Sequence, residues 1–241
     1  MPILLRRLAR DQSGTDLATR RTSTGVVLAV TAIVALSACS SGSNTGTPAK
    51  VDGSSASSGY NGDVLPAPVA LTDAAKSAVF HDSTGATATL GSMQHGRLML
   101  LYFGYTHCPD VCPTTMADLG QALRQVGLQV RQRTQVVFVT SDPHRDTPPV
   151  MKAWLANFDV GLPVSFVGLT ASLAQTDRVA ESLGVPLSPP VTEANGSVSV
   201  EHGAQTLAFI AGKAKLVWLA GTTVASYTHD IATLAADGNL S

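Results

Sequence analysis

A run of six nonpolar and aromatic residues, Leu98–Phe103, follows Arg97 and ends at Gly104. A run without polar interruption is typical of a central strand that is buried on both faces of a sheet. Val136–Thr140 indicates a second strand of this kind, and Val164–Leu169 a third, less regular one. The chain is therefore expected to build its core around parallel, fully covered strands.

The segments between these strands have one apolar face at helical spacing. Their apolar faces consist of Met116, Leu119, Leu123 and Val126; of Met151, Trp154, Leu155 and Phe158; and of Leu173, Thr176, Ala180 and Leu183. Strands that alternate with helices predict an α/β sheet with helices on both faces.

The pattern changes towards the C-terminus. Thr206–Ile210 and Lys215–Leu219 flank a turn at Gly212-Lys213 and predict an antiparallel hairpin, which Thr228–Ala236 follows as a closing helix. Val79–His81 and Thr87–Leu90 predict a small added hairpin. The fold class is therefore α/β and compatible with a thioredoxin-like fold, with a central mixed sheet flanked by helices and a C-terminal hairpin and helix.

The N-terminus has the pattern of an export signal. Five arginines precede the apolar run Val26–Leu36, whose eleven residues are too few to span a membrane but suit a secretory signal. Leu36-Ser37-Ala38-Cys39 resembles the bacterial lipobox, in which the cysteine is acylated and becomes the first mature residue. We therefore expect residues 1–38 to be a lipoprotein-type signal peptide and Cys39 to carry lipid. The alternative is an ordinary signal with a cysteine nearby by chance.

Residues 39–63 are predicted to be a tether. Half of the residues from Ser40 to Asp63 are Ser or Gly, so the segment buries too little apolar surface to offset the entropy of ordering. As a flexible coil it reaches about 27 Å. The folded domain is then expected over residues 64–241, on the outer face of the cell membrane.

Charge and cysteine content exclude two classes of protein. The formal charge is −1, without the basic excess that nucleic-acid binding requires. Three cysteines are too few for a disulfide scaffold. With Cys39 assigned to lipid, Cys108 and Cys112 remain for chemistry.

Cys108 and Cys112 are separated by three intervening residues where a buried strand turns into a helix. Pro113 at the first helical position places Cys112 near the N-cap, where the helix dipole is expected to lower thiol pKa values. Converging thiolates serve a reversible disulfide or a soft metal such as Cu(I) or Zn(II). A structural disulfide in an exported domain is the third possibility, and spacing alone does not decide.

Longer motifs surround these cysteines. Leu100–Thr115, LLYFGYTHCPDVCPTT, closely resembles the signature of the Sco/SenC family of copper-binding thioredoxin-fold proteins. Thr140–Pro148, TSDPHRDTP, is similar to that family's DPxRDTP segment, and Val200-Glu201-His202 to its V-x-H element. The resemblance covers nearly all of residues 64–240.

The resemblance implies a copper site formed by Cys108, Cys112 and His202. Two thiolates and an imidazole suit Cu(I) and also accept Cu(II). Asp142 is expected to influence the copper site by acting on its ligands rather than by binding the metal. The alternative is that Asp142 forms the turn before Pro143. The Gly at 203, where the family usually has Ser or Thr, is expected to loosen the histidine loop.

The remaining candidates are given structural roles. His107 is expected to orient the cysteine loop, the segment after Gly104 that carries Cys108 and leads to Cys112, rather than bind metal. Asp146 and Thr147 are expected to cap the helix that begins at Pro148. Four other histidines lack a partner pattern and are predicted to be solvated: His81, His95, His144 and His229.

By resemblance, the protein is a metallochaperone that supplies copper to the dinuclear copper site of cytochrome c oxidase subunit II. It would act by ligand exchange, without catalytic turnover. The first alternative is a thiol–disulfide oxidoreductase that uses Cys108 and Cys112 but not His202. The second is a copper or redox sensor. A peroxidase is disfavoured because no distant resolving cysteine is present.

Overall fold

The computed structural model describes residues 59–188, 191–192, 194, 198–199 and 203–239. The predicted signal peptide, Cys39, the tether up to residue 58 and His202 lie outside the described residues. The described strands are β1 (Asp63–Ala70), β2 (Val79–Asp82), β3 (Thr87–Thr89), β4 (Leu98–Gly104), β5 (Thr134–Thr140), β6 (Val167–Thr170), β7 (Val191–Thr192), β8 (Val198–Ser199), β9 (Thr206–Ile210) and β10 (Lys213–Trp218).

The described helices are α1 (Asp73–Ser77), α2 (Leu90–Met93), α3 (Val111–Gln125), α4 (Leu128–Gln132), α5 (Pro148–Leu155), α6 (Leu173–Ser182) and α7 (Val224–Asp237). Among these residues, no helix combines the length and hydrophobicity needed to cross a bilayer.

Eight of the described strands form one mixed sheet in the order β1-β10-β9-β4-β5-β6-β2-β3, and β7 pairs separately with β8. The strands β4, β5 and β6 are parallel, whereas β9, β10 and β1 continue the sheet in antiparallel pairing. This is the predicted α/β arrangement with a C-terminal hairpin and helix.

The strand β4 corresponds to the uninterrupted apolar run, and all seven of its residues are buried. Its side chains alternate between two cores. One core, towards α3, α5 and α7, receives Leu98, Leu100 and Tyr102, and the other, towards α1, α2 and α6, receives Met99, Leu101 and Phe103. Helices therefore cover both faces of this strand, which explains why it has no polar position.

Most predicted elements are present, with shifted ends. The strand β6 begins at Val167 rather than Val164, and α7 begins at Val224, four residues early. The hairpin turn is at Ala211 and Gly212, one residue earlier than predicted, and both have the positive φ that a tight hairpin turn requires. Leu173, predicted in an apolar core face, is 41% exposed.

The sequence pattern did not predict β1. This strand contains Pro66 and Pro68 and has no alternating hydrophobicity, because it lies at the sheet edge and pairs only with β10. Its register shifts between Val64 and Val69, where the prolines lie. A strand of this kind forms only because a partner strand is available.

A buried carboxylate binds the chain just before β1. The Asp230 side chain, on α7, is fully buried and accepts hydrogen bonds from the backbone N–H groups of Asn61 and Gly62 and from the indole N–H of Trp218, each at 2.8 Å. The Tyr60 hydroxyl donates to Asp237 at 2.5 Å. Residues 60–62, which the composition places in the tether, therefore contact the folded domain.

Replacing Asp230 by Ala is expected to lower the free energy of unfolding by about 3–5 kcal/mol, because three donors, among them the buried Trp218 indole, would lose their acceptor. Urea denaturation of the full chain would measure this loss. The matched control is Asp177→Ala, since the Asp177 side chain on α6 is exposed. Equal losses in the two variants would contradict the role of Asp230.

Candidate metal centre

The two cysteines lie on the connection from β4 to α3. The helix begins at Val111 with Asp110 as its N-cap, so Cys112 is the second helical residue and Pro113 the third. The prediction that Pro113 opens the helix was therefore wrong by two positions. Proline fits here because the N–H groups of the first turn have no acceptor within the helix.

The two sulfurs differ in exposure. Cys108 is half-buried, whereas Cys112 is fully buried in the core on the α3 side of the sheet. The backbone N–H of Cys112 donates to the Cys108 sulfur at 3.4 Å, so this sulfur accepts one of the first N–H groups of α3. The Tyr102 hydroxyl donates to the Cys112 sulfur at 3.6 Å. The structure therefore brings an accessible sulfur and a buried one to the start of the same helix.

The hydrogen bond between the two cysteine side chains, together with burial, raises the pKa of the Cys112 thiol well above its usual range. The expectation of a lowered pKa was therefore wrong for Cys112. Burial and the neighbouring Cys112 also raise the pKa of the Tyr102 hydroxyl. Since thiolates bind metals, a cation that binds Cys112 must displace its proton.

Gly104, the last residue of β4, makes room for the buried sulfur. A Cβ atom at this position would lie 2.7 Å from the Cys112 sulfur and 2.7 Å from a ring carbon of Tyr102, both closer than real side-chain contacts. The glycine that ends the apolar run is therefore required by close packing against Cys112.

Asp146 ties the cysteine loop to the end of β5. Its fully buried carboxylate accepts hydrogen bonds from the Thr106 backbone N–H (2.9 Å), the Thr106 hydroxyl (2.5 Å) and the Thr140 hydroxyl (2.6 Å). Thr147 is the N-cap of α5, as expected, but its side chain makes no capping hydrogen bond. The prediction that Asp146 caps this helix was wrong, since its carboxylate instead bonds to two other segments.

Asp142 lies in the turn after β5. Its carbonyl accepts hydrogen bonds from the backbone N–H groups of Arg145 and Asp146, and its buried carboxylate pairs with the Arg145 guanidinium. This guanidinium lies over the Tyr105 ring, 5.9 Å from its centroid. The turn bonds thus go to the Asp142 backbone carbonyl, whereas its carboxylate pairs with Arg145, which was not among the predicted site residues and which connects Asp142 to the cysteine loop.

Two further predicted features are His107 and the glycine that follows His202. The His107 Nδ1 atom lies 3.1 Å from the Thr106 hydroxyl. His202 is outside the described residues, but the next residue, Gly203, is buried and its N–H donates to the Pro186 carbonyl at 2.8 Å. A Cβ atom there would lie 2.5 Å from the Gln205 side-chain oxygen. Gly203 is therefore a buried, hydrogen-bonded residue, while the loop that carries His202, which was expected to be loosened, lies outside the described residues.

Within the residues that the structure describes, no three His, Cys, Asp or Glu side chains form a group that would hold a metal ion. Cys108 and Cys112 are two of the three predicted ligands, and the third is His202. The four histidines predicted to be solvated are exposed: His81, His95, His144 and His229.

At neutral pH, iodoacetamide is expected to alkylate Cys108 about tenfold or more faster than Cys112, because the thiolate is the reacting form and Cys112 is buried with a raised pKa. Timed quenching and mass spectrometry of the cysteine-containing peptides would give both rates. Unfolding in urea should equalise them, which serves as the control. Equal rates in the folded protein would contradict the described difference in environment.

Comparison with known proteins identifies the family. The SCO1/SenC family model matches residues 73–235. A protein of Stutzerimonas stutzeri that is named for copper binding is 38% identical over 122 residues, which are 51% of this chain and 55% of that protein. The human mitochondrial protein SCO1 homolog is 32% identical over 108 residues, 44% of this chain and 35% of that protein. The chain thus spans about half or less of the length of these relatives.

Solved structures of Sco proteins agree with this family assignment. The copper-bound ScoI of Bradyrhizobium japonicum is 29% identical, with a TM-score of 0.54, and the match covers 64% of this chain and 94% of that one. The apo Sco1 protein from Thermus thermophilus is 28% identical, with a TM-score of 0.61, and the match covers 73% and 96% of the two chains. The fold is thioredoxin-like, and the chain belongs to the SCO1/SenC family.

Proposed function

We propose that this protein is an exported, lipid-anchored copper carrier that supplies copper to the dinuclear site of cytochrome c oxidase subunit II. The observation that carries the proposal is the pair of sulfurs at the start of α3, one half-buried and one buried, on a loop bound to the fold by Asp146. Family relatives that are named for copper or solved with copper support the choice of metal.

The donor set suits Cu(I), which is the cargo of the protein. Soft thiolate sulfurs select Cu(I), and an imidazole is a suitable third ligand. We propose that Cys108, Cys112 and His202 hold the ion together. Three ligands leave one side of the ion open to a ligand of the recipient. The half-buried Cys108 lies nearer the solvent than Cys112 and is the sulfur that a recipient reaches first.

Handover by ligand exchange requires no change in oxidation state. The recipient's ligands replace the carrier's ligands one at a time, and each departing thiolate takes up a proton from the solvent. The raised pKa of Cys112 favours this release, because the protonated thiol is the stable form of that side chain in the empty site. In this proposal the protein acts as a carrier, without catalytic turnover.

The proposed location follows from the N-terminal pattern. Removal of residues 1–38 takes away five basic and two acidic residues, which changes the formal charge from −1 to −4. Such a protein has no polybasic attraction to anionic lipid, so we propose that acyl chains on Cys39 hold it on the outer face of the cell membrane. The tether up to the Tyr60–Gly62 contacts would then set its reach.

Anaerobic titration of the reduced full chain with Cu(I) in competition with a chromogenic chelator is expected to show one tight equivalent. Cys108→Ala and Cys112→Ala should abolish this binding, and His202→Ala should weaken it. Asp142→Asn should weaken it by about 10-fold or more, because residues that orient metal ligands have effects of this size. His81→Ala, which changes an exposed histidine on β2, is the matched control. No binding stronger than that of the chelator would refute the carrier function.

The same sulfur pair also fits a thiol–disulfide oxidoreductase, in which an accessible cysteine attacks a partner and a neighbouring cysteine resolves the mixed disulfide. The observation that favours it is the half-buried Cys108 beside the buried Cys112. The two functions differ in their need for His202. A His202→Ala variant that loses copper affinity but keeps full cytochrome oxidase assembly in cells would favour the oxidoreductase.

A further inference from the structure

The hydrogen bonds around Thr106 determine which nitrogen of His107 carries a proton. The Thr106 hydroxyl donates to the Asp146 carboxylate at 2.5 Å, and a hydroxyl has only one proton to give. The His107 Nδ1 atom lies 3.1 Å from the same hydroxyl oxygen, so Nδ1 must be the donor in that contact. The neutral imidazole therefore carries its proton on Nδ1 and its lone pair on Nε2.

The imidazole does not hold the cysteine loop in place. Thr106 already makes two hydrogen bonds to Asp146, one from its backbone and one from its hydroxyl. The hydrogen bond of His107 goes to its own neighbour, and its 3.6 Å separation from Asp146 is too long for a hydrogen bond. The His107 side chain is 51% exposed. It is therefore oriented by the loop and leaves Nε2 available as a base.

This arrangement has the form found around histidines that bind metals. Such a histidine usually donates its other ring N–H to a carboxylate, a carbonyl or water, which fixes its tautomer and ring orientation. In this protein, the acceptor is the Thr106 hydroxyl, supported by the buried Asp146 carboxylate. The next residue in the chain is Cys108, the more accessible of the two sulfurs.

We propose that His107 is a transient copper ligand, which together with Cys108 takes up Cu(I) at the surface before the ion moves inward to Cys112. The proposal rests on the copper-carrying function. His107 is not one of the three ligands proposed for the loaded site, which are Cys108, Cys112 and His202. Thr106 and Asp146 act as positioning residues for the imidazole.

The steps are ligand exchanges, and the ion remains Cu(I) throughout. The Nε2 lone pair forms a bond to copper as one ligand of the donor leaves. The Cys108 sulfur binds as its proton passes to the solvent, and a second donor ligand leaves. The Cys112 sulfur then binds, also releasing a proton to the solvent, and Nε2 departs. Release of the ion to a recipient follows the same steps in reverse.

A stopped-flow experiment tests the proposal. The reduced full chain is mixed anaerobically with the Cu(I) complex of bicinchoninate, and loss of the complex is followed by absorbance. In His107→Ala, transfer is expected to slow by about 10-fold, a size typical of changes near metal ligands, while the equilibrium affinity stays within about twofold. His81→Ala, at an exposed position on β2, is expected to transfer copper at the wild-type rate.

Two further measurements separate a ligand from a structural residue. Thr106→Val keeps the imidazole and the backbone bond to Asp146 but removes the acceptor for Nδ1, so it is expected to slow transfer without loss of affinity. A long-range ¹H–¹⁵N spectrum of the copper-free protein is expected to show His107 protonated on Nδ1, and the Nε2 resonance should shift when Cu(I) is added.

The outcomes are distinct. If the wild type transfers copper and His107→Ala does so at the same rate, the ligand role is overturned while the carrier function stands. Equal losses of rate and affinity in His107→Ala would assign the residue to loop structure and also overturn the proposal. If the spectrum shows His107 protonated on Nε2, the tautomer inferred from the Thr106 hydrogen bonds is wrong and the proposal is overturned. If the wild type takes no copper from the chelator, the carrier function itself fails.

Discussion

The buried Asp146 carboxylate joins the two strand ends on which the candidate site depends. It accepts hydrogen bonds from Thr106 in the cysteine loop and from Thr140 at the end of β5. A buried carboxylate without donors would be costly, so these bonds must form together in the folded protein. The path of the cysteine loop is therefore linked to a neighbouring parallel strand. The sulfurs obtain defined positions although the loop itself contains little regular structure.

The site is asymmetric because the two cysteines lie in different environments. Cys112 belongs to the first turn of α3 and packs into the core beside Gly104 and Tyr102, where charge is disfavoured. Cys108 precedes the helix and stays half-buried. An ion bound between them would have one sulfur towards solvent and one towards the core. In the proposed carrier, this difference would give uptake and release of the ion a defined order.

The predictions that succeeded rest on patterns several residues long. The uninterrupted β4 run, the helical stripes and the hairpin before α7 each repeat their signal over several positions. The features that were missed or wrongly predicted depend on partners that are distant in the sequence. The strand β1 was missed because it contains two prolines and lies at the sheet edge. Asp146 was predicted to cap a helix because it stands shortly before Pro148, a pattern that is also typical of a helix cap. The Asp146 carboxylate instead accepts a hydrogen bond from Thr106, forty positions earlier in the chain. Spacing along the sequence carries no information about such a contact.

Residue patterns were enough to predict the α/β class, the central buried strand, the cysteine pair after it and the family. These follow from hydrophobic periodicity and from motifs of adjacent residues, which folding does not alter. The folded structure was needed to show which sulfur is buried, in which direction the pKa of Cys112 moves, and which groups Asp146, Arg145 and Asp230 contact. Burial and hydrogen bonding are properties of atoms brought together from distant segments, so they exist only once the chain has folded.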